Sequence, residues 1–383
     1  MRALVLGFCL NVLLAPVLFA QTAQGDRVER LLEELSNAPG PSGFEGPVRD
    51  IVVRELRAAG LETSTDGLGS VVAVLRGSSE HPRIMLAAHL DEVGAMVKFV
   101  TPEGMVKFQP LGGWLDQALI DQRWIIVTGK GPVTAVSGLK SPHLTPPEER
   151  NRVTPRDDIF LDVGARSKED AASLGIRPGD PIVPAGRFTE LAHGRYLGKA
   201  LDDRVGLVIF LEVLRRLQAQ SAKPPNTICL VATVQEELGL RGAHTAVQAV
   251  KPDLGISLEV GVAGDHPGGR PEASQEKLGA GPVLYLADGA MLVNLHLRDF
   301  FERLAEANHI PYQTEVTTGS AEDSAEMQRF GSGIPSLNYA VATRYLHTHS
   351  SELDRADLDH AIDLLVKALN ALDAKAVEEI ARF

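Results

Sequence analysis

The stretch VATVQEELGLRGAH (231–244) follows an apolar run, ICLVATV (228–234), with two adjacent carboxylates, Glu236 and Glu237. Neighbouring negative charges repel unless something positive lies between or beside them, so the pair is either a solvated loop tip or half of a metal site. The elements around it set the fold class. RVGLVIFLEVLRRLQAQ (204–220) has the spacing of a long amphipathic helix and leads into the strand NTICLVATV (226–234). Upstream, VRDIVVRELRAAG (48–60) has helical periodicity and ends on Gly, while GSVVAVLRG (69–77) and RIMLAAHLD (83–91) read as strands. Strands alternating with helices imply an α/β fold with a largely parallel sheet.

Residues 94–193 have a different texture. Short β-rich pieces such as AMVKFV (95–100), MVKFQP (105–110), RWIIVTG (123–129) and DIFLDVG (158–164) are separated by Gly and Pro, with one short helix near SKEDAASLG (167–175). This implies a small, mostly β domain inserted into the α/β domain. The chain is thereby divided into 27–93 and 194–383, the two parts of a catalytic domain, around 94–193. LKSPHLTPPEERNRVTPRDD (139–158) is the polar loop of the insertion.

The 383 residues are 44% hydrophobic and 23% charged, enough for a sizeable core. A net charge of −12, without a basic run or interleaved aromatics, argues against nucleic acid as a partner. The first twenty residues, MRALVLGFCLNVLLAPVLFA, have one early Arg followed by an uncharged apolar stretch, the pattern of a signal peptide cleaved after Ala20. A periplasmic or secreted protein without a stable membrane anchor is the corresponding expectation. Cys9 falls in that segment and Cys229 in an apolar strand, so no internal disulfide is expected and Cys229 reads as core.

Five places put a His or a carboxylate where an apolar run stops. They are His89 with Asp91, Asp202 with Asp203, Glu236 with Glu237, Glu259, and His347. Each has an ordinary structural reading: a satisfied histidine, an N-cap before a helix, a solvated turn. Jointly they supply imidazoles and carboxylates from successive βα junctions, and open α/β sheets gather ligands at the carboxyl ends of their strands. In a strand, His89 and Asp91 would point the same way, letting the carboxylate hold the ring nitrogen not used for metal.

AHLDEVG (88–94), GKALDDRVG (198–206), QEELGLRGA (235–243), EVGVAGDHPG (259–268) and TRYLHTHSS (343–351) resemble, in order, the signatures of the tetrahedral aminopeptidases, dinuclear metallopeptidases that include glutamyl and deblocking aminopeptidases. The similarity runs from about Arg27 to the C-terminus. FQPLGGW (108–114), VSGLKSPHL (136–144), IFLDVGA (159–165) and GIRPGDPIV (175–183) are similar to that family's inserted β-barrel. The resemblance implies a three-layer, phosphorylase/hydrolase-like catalytic domain interrupted by a small β-barrel used for oligomerisation. It implies peptide substrates and a homo-oligomer in which dimers build a tetrahedral dodecamer. It also implies two divalent ions, zinc first and cobalt or manganese as alternatives.

Carried over residue by residue, it implies one ion on His89, Asp202 and Glu259 and another on Asp202, Glu237 and His347, with Asp202 bridging. Asp91 would orient His89, and Glu236 would stay unligated as general base. Glu259 stands where the family usually has Asp, and His349 where it often has Pro, so His349 is either an extra surface ligand or a neutral loop histidine. Asp323 matches a position near the site, as substrate-side support or as a cap. Lys199 and Arg204 flank the bridging Asp and would balance its charge. The resulting reading is an exported dinuclear metallo-aminopeptidase. The alternatives are a related carboxypeptidase or amidohydrolase, a glycoside hydrolase, disfavoured by 5% aromatic content, and a non-catalytic peptide-binding homologue.

Overall fold

The computed structural model describes residues 26–382. Its larger sheet has eleven strands, and the main path runs Thr63–Thr65, Val71–Leu75, Thr227–Thr233, Arg83–His89, Leu254–Val262, Ser336–Arg344, Ser351–Asp354, Arg195–Gly198 and Thr189–Leu191. The four strands from Thr227–Thr233 to Ser336–Arg344 are mutually parallel, whereas the flanking pairs of that path are antiparallel. The sheet is therefore mixed, and the expectation of a largely parallel one holds only for its centre. The antiparallel flanks are strands of three to five residues that exposed hairpins and returns can join, which the helix-to-strand alternation of the sequence does not reveal.

Alternation along the central strands distributes side chains to two layers. From Arg83–His89, Ile84, Leu86 and Ala88 enter one core with helices Arg27–Asn37, Gly46–Ala58, Leu201–Gln218 and Arg355–Ala371. Met85 and Ala87 point the other way, packing with Cys229, Val231, Ala246, Val247 and Met327 under helices Arg241–Val250 and Ser324–Gln328. Helix Leu201–Gln218 is buried along most of its length because it lies between the sheet and Arg355–Ala371. Among the described residues, no helix is long and apolar enough to cross a membrane.

The second sheet has five strands, ordered Val106–Leu111, Gly94–Val100, Pro181–Pro184, Gln122–Thr128 and Gly131–Ser137. Its core is separate and centres on Trp124, which is fully buried and donates from its indole to Ser137 Oγ at 3.0 Å. The segment 139–158 carries two short 3-10 turns, Pro147–Glu149 and Arg156–Asp158.

A buried ionic junction links the first helix, the strand end at Leu90 and the start of the long helix. Lys199 Nζ lies 2.7 and 2.8 Å from the Glu92 carboxylate oxygens and donates to Ala38 O at 3.0 Å. Arg204 Nη2 lies 3.5 Å from Glu92, while the guanidinium also donates to Leu35 O, Leu90 O and Asp91 O. Lys199 and Arg204 are thus directed mainly at Glu92 and backbone carbonyls rather than at Asp202. Removing one partner of a buried pair strands the other charge. Lys199→Met should therefore lower unfolding stability by roughly 3–5 kcal/mol in a denaturant titration; a loss below about 1 kcal/mol would mean that the junction is not structurally important.

Candidate metal centre

The parallel strands deliver the predicted side chains to one place. His89 ends its strand, Glu236 and Glu237 follow Thr227–Thr233, Glu259 lies in Leu254–Val262 and His347 follows Ser336–Arg344. Thr233 pairs with His89 and Ser257 with Ala87, so the chain ends emerge side by side. Asp202 reaches them from the start of the long helix.

That helix start separates the two aspartates. Ala200 is left-handed, the Asp202–Asp203 peptide is cis, and both aspartates depart from helical dihedrals. Asp203 acts as a cap, accepting from Gly206 N at 2.9 Å, and it also accepts from His89 N at 3.1 Å. Asp202 instead faces both histidines, with Oδ1 2.9 Å from His89 Nε2 and Oδ2 3.3 Å from His347 Nε2. His89 Nε2 also lies 3.8 Å from Glu259 and 3.9 Å from Glu236, and His347 Nε2 lies 3.4 Å from Glu237. Donor atoms of His89, Asp202 and Glu259 all lie within 4.8 Å of one another, as do those of Asp202, Glu237 and His347.

Both imidazoles are held from behind. His89 Nδ1 is 3.0 Å from the Asp91 carbonyl oxygen and 3.5 Å from its carboxylate, and His347 Nδ1 is 2.6 Å from the Gly113 carbonyl. Donation from Nδ1 leaves each Nε2 facing the carboxylates. Besides facing His89, the Asp91 carboxylate accepts from Ser42 Oγ at 2.6 Å, Glu236 N at 2.9 Å and Glu237 N at 3.2 Å. It therefore holds the backbone of the Glu-Glu turn, a task that its spacing from His89 does not disclose. Gln235, Tyr345 and His347 are left-handed non-glycine residues, so the turns carrying the paired glutamates and His347 are held in unfavourable backbone conformations.

Glu322, absent from the sequence expectations as a site residue, joins Glu236 and Glu259 in a third cluster of facing carboxylates. It lies in a Gly/Ser loop with no strand end to mark it; its one sequence signal is adjacency to Asp323. Asp323 is fully buried and accepts from Thr233 Oγ1 at 2.6 Å, and its side chain does not cap the helix that follows. His349 is not at the surface. It packs edge-on against Trp124 at 4.3 Å between ring centroids, and burial lowers its pKa to about 4, leaving the ring neutral.

Crowding shapes the electrostatics. Burial, aggravated by neighbouring carboxylates, raises Glu237 and Glu322 to about 8 and Glu236 and Glu259 well above the usual range. Burial opposes charge on His89 and His347, but hydrogen bonds to Asp202 outweigh it, so His89 rises well above the usual imidazole value and His347 rises to about 9. Asp202 is lowered because its hydrogen bonds from both histidines overcome burial. Protons are thus retained where a cation would supply positive charge. The donors suit a divalent ion: they mix imidazole with carboxylate, Glu259 Oε1 is buried without a hydrogen-bond partner, and so is Glu237 Oε1, which has His347 Nε2 at ion-pair distance only. A cavity of about 1010 Å³ opens onto Asp202, Glu236, Glu237, Glu322 and His347.

Residues 69–364 match the M42 glutamyl aminopeptidase family. The chain belongs to that family. Its members are metal-dependent peptide hydrolases, and this chain is an aminopeptidase. It is 34% identical to the putative aminopeptidase FrvX of Escherichia coli (strain K12), covering 92% of this chain and 98% of that one. It is similar to the TET aminopeptidase of the marine sediment archaeon Thaumarchaeota archaeon SCGC AB-539-E09, with 39% identity, a TM-score of 0.89 and coverage of 93% and 100%. It is also similar to the Pyrococcus horikoshii TET1 peptidase, described as able to assemble into a tetrahedron or a large octahedral shell, with 30% identity, a TM-score of 0.82 and coverage of 90% and 100%. The periplasmic or secreted location inferred from residues 1–20 is corrected by these relatives, since the FrvX and TET aminopeptidases are cytosolic. Those residues lie outside the described residues, and an apolar stretch by itself does not specify export.

A divalent ion entering the cage competes with the retained protons. At pH 7, groups with pKa values of about 8 and about 9, Glu237 and His347, are protonated and must lose those protons to coordinate. Zinc binding at pH 7 should therefore release on the order of one proton or more per subunit, and apparent affinity should rise between pH 7 and pH 9. Calorimetry in two buffers of different ionisation enthalpy reads this directly, and zero release would contradict it.

Proposed function

We propose that the chain is a dinuclear aminopeptidase in which Glu236 is the general base. Two divalent ions would be held by His89, Asp202 and Glu259 and by Asp202, Glu237 and His347, with Asp202 shared. Zinc suits these donors first, with cobalt and manganese as alternatives. The reading is carried by one observation: Asp202 presents one carboxylate oxygen to each histidine while Glu236 stands beside the pair. When bound, such ions lower the pKa of water and polarise the substrate carbonyl.

The chain's residues supply the other parts of the chemistry. Glu236 takes a proton from the attacking water and returns it to the leaving amine. Asp91 fixes Glu236 by accepting its backbone N–H at 2.9 Å. The Asp91 and Gly113 carbonyls hold the two imidazoles in one tautomer. A related carboxypeptidase or amidohydrolase would use similar donors, and release of residues from N-blocked against C-blocked peptides separates these readings.

We further propose that 94–193 is an inserted β-barrel through which subunits form a homo-oligomer, with 27–93 and 194–383 as the two parts of the catalytic domain. Bridges from Val106 to Leu161 and from Val136 to Asp162 support closure, because residues 161–162 touch both edge strands of the five-stranded sheet. A tetrahedral shell of dimers is consistent with the assembly described for the P. horikoshii peptidase. Replacing 94–193 by a short linker should yield smaller particles in light scattering; unchanged particle size would remove the insertion from the assembly.

The paired glutamates should separate on substitution. Glu236→Gln keeps bound metal and lowers kcat by about 10²–10⁴-fold, whereas Glu237→Gln lowers metal content, because an amide oxygen is a weaker ligand than a carboxylate. Elemental analysis and rates on an aminoacyl anilide read both variants. Full activity in Glu236→Gln would end the mechanism.

A further inference from the structure

The turn that carries the paired glutamates is gripped by side chains from elsewhere in the fold. Its three successive backbone N–H groups all donate to carboxylates: Gln235 N to Glu45 Oε1 at 3.3 Å, Glu236 N to Asp91 Oδ1 at 2.9 Å and Glu237 N to Asp91 Oδ2 at 3.2 Å. Asp91 is held in turn by Ser42, whose Oγ donates to Oδ2 at 2.6 Å. Ser42 and Glu45 belong to one short stretch, PSGFE (41–45), which contains none of the proposed metal ligands. Both are buried, and neither lines the catalytic cavity. Whatever they contribute to the reaction passes through the turn that they hold.

The stretch is itself firmly anchored. Phe44 N donates to Pro41 O at 2.8 Å, and Gly43, with φ at +85°, takes the left-handed position of that turn. Glu45 Oε1 also accepts from Gly43 N at 2.7 Å, which ties the turn to its own end. Upstream, Gly40 O accepts from Glu92 N at 3.0 Å and Gly40 N donates to Glu92 Oε1 at 2.9 Å, so the stretch is fastened to the residue after Asp91. Downstream, the chain enters helix Gly46–Ala58, whose Val48, Val52 and Leu56 lie in the main core. Gln235, by contrast, is a left-handed residue with a side chain, a conformation that persists only where the surroundings over-determine it. Ser42 and Glu45 bring the rigidity of the helix start to that strained turn.

We propose that Ser42 and Glu45 are positioning residues for the general base: they clamp the Gln235–Glu237 turn and so fix where the Glu236 carboxylate stands relative to Asp202 and His89. The inference rests on the aminopeptidase reading and adds to it two residues that act on the base without touching substrate. Ser42→Ala removes a donor from a fully buried carboxylate, and Glu45→Ala leaves the Gln235 N–H without its acceptor. Either change loosens the turn, and a misplacement of about 1 Å at a reacting group can lower a rate by about 100-fold. Glu237 shares the turn, so the same loosening weakens the hold on one ion.

The test compares the unmodified protein with Ser42→Ala, Ser42→Thr, Glu45→Ala and Glu45→Gln. Rates at zinc saturation are measured on whichever of Lys-, Leu- and Glu-p-nitroanilide the unmodified protein cleaves best, and zinc affinity is measured by competition with a chromophoric chelator. The two alanine variants should lose about 10–100-fold in kcat with KM little changed, and each should bind one of its two zinc ions about tenfold more weakly. Ser42→Thr keeps the hydroxyl and Glu45→Gln keeps an acceptor oxygen, so both should recover most of the lost kcat. A merely structural role predicts lower unfolding stability with kcat intact. Unchanged kcat in folded Ser42→Ala and Glu45→Ala, or a loss that the Thr and Gln variants share in full, would overturn the clamp. Should one alanine variant not fold, the other and its conservative partner decide. If the unmodified protein cleaves none of the three substrates, the aminopeptidase reading fails instead, and the zinc titration decides the clamp alone: unchanged affinity in both alanine variants would overturn it.

Discussion

Repulsion among carboxylates at the carboxyl ends of four parallel strands is the constraint on which the rest of the site depends. Asp202, Glu236, Glu237, Glu259 and Glu322 converge on two histidines, and burial denies them the screening that water would give. Without compensation such an arrangement favours protonation, and the raised pKa values of all four glutamates and both histidines express that tendency. The surrounding structure opposes it by fixing positions. Asp203 caps the long helix, Asp91 holds the Glu-Glu turn, and Lys199 and Arg204 are directed mainly at Glu92 and backbone carbonyls. Among the described residues no Lys or Arg lines the cavity, so positive charge beyond that of the two imidazoles would come from a bound cation.

Residues of the second sheet's segment reach this centre at Gly113 and through the two tryptophans of its core. Gly113 supplies the carbonyl behind His347, and a Cβ there would come within 3.2 Å of His347 Nδ1, closer than most such contacts. Two residues later in the chain than His347, His349 lies against Trp124 and Trp114 of the second core. The loop carrying His347 is thus held by Gly113 at one end of a short span and by Trp114 and Trp124 at the other. Movement of the second sheet relative to the main one would displace an imidazole that faces Asp202.

Much of the site was legible in the sequence because polar residues interrupting strongly apolar strands are conspicuous. His89, Asp202, Glu236, Glu237, Glu259 and His347 were each visible as a break in such a pattern, and the α/β alternation implied that they meet at strand ends. The strand–helix pattern found the flanking strand within 69–77 but not its antiparallel direction, and three-residue strands such as Thr63–Thr65 carry too little periodicity to be seen. Glu322 was missed because it sits in an irregular loop. His349, left open between a surface ligand and a neutral loop histidine, is a neutral loop histidine, and its burial was not visible because its partners, Trp114 and Trp124, are more than two hundred positions away in the chain. The apolar stretch 1–20 misled by composition alone, which is shared by segments with different fates.

The central claim is that the convergent donors hold two cations sharing Asp202, and anomalous scattering at the zinc edge from zinc-loaded crystals tests it most directly. Two peaks about 3.5–4 Å apart on either side of Asp202 are expected, one against His89 and Glu259 and the other against Glu237 and His347. A single peak, or peaks that avoid Asp202, would contradict it.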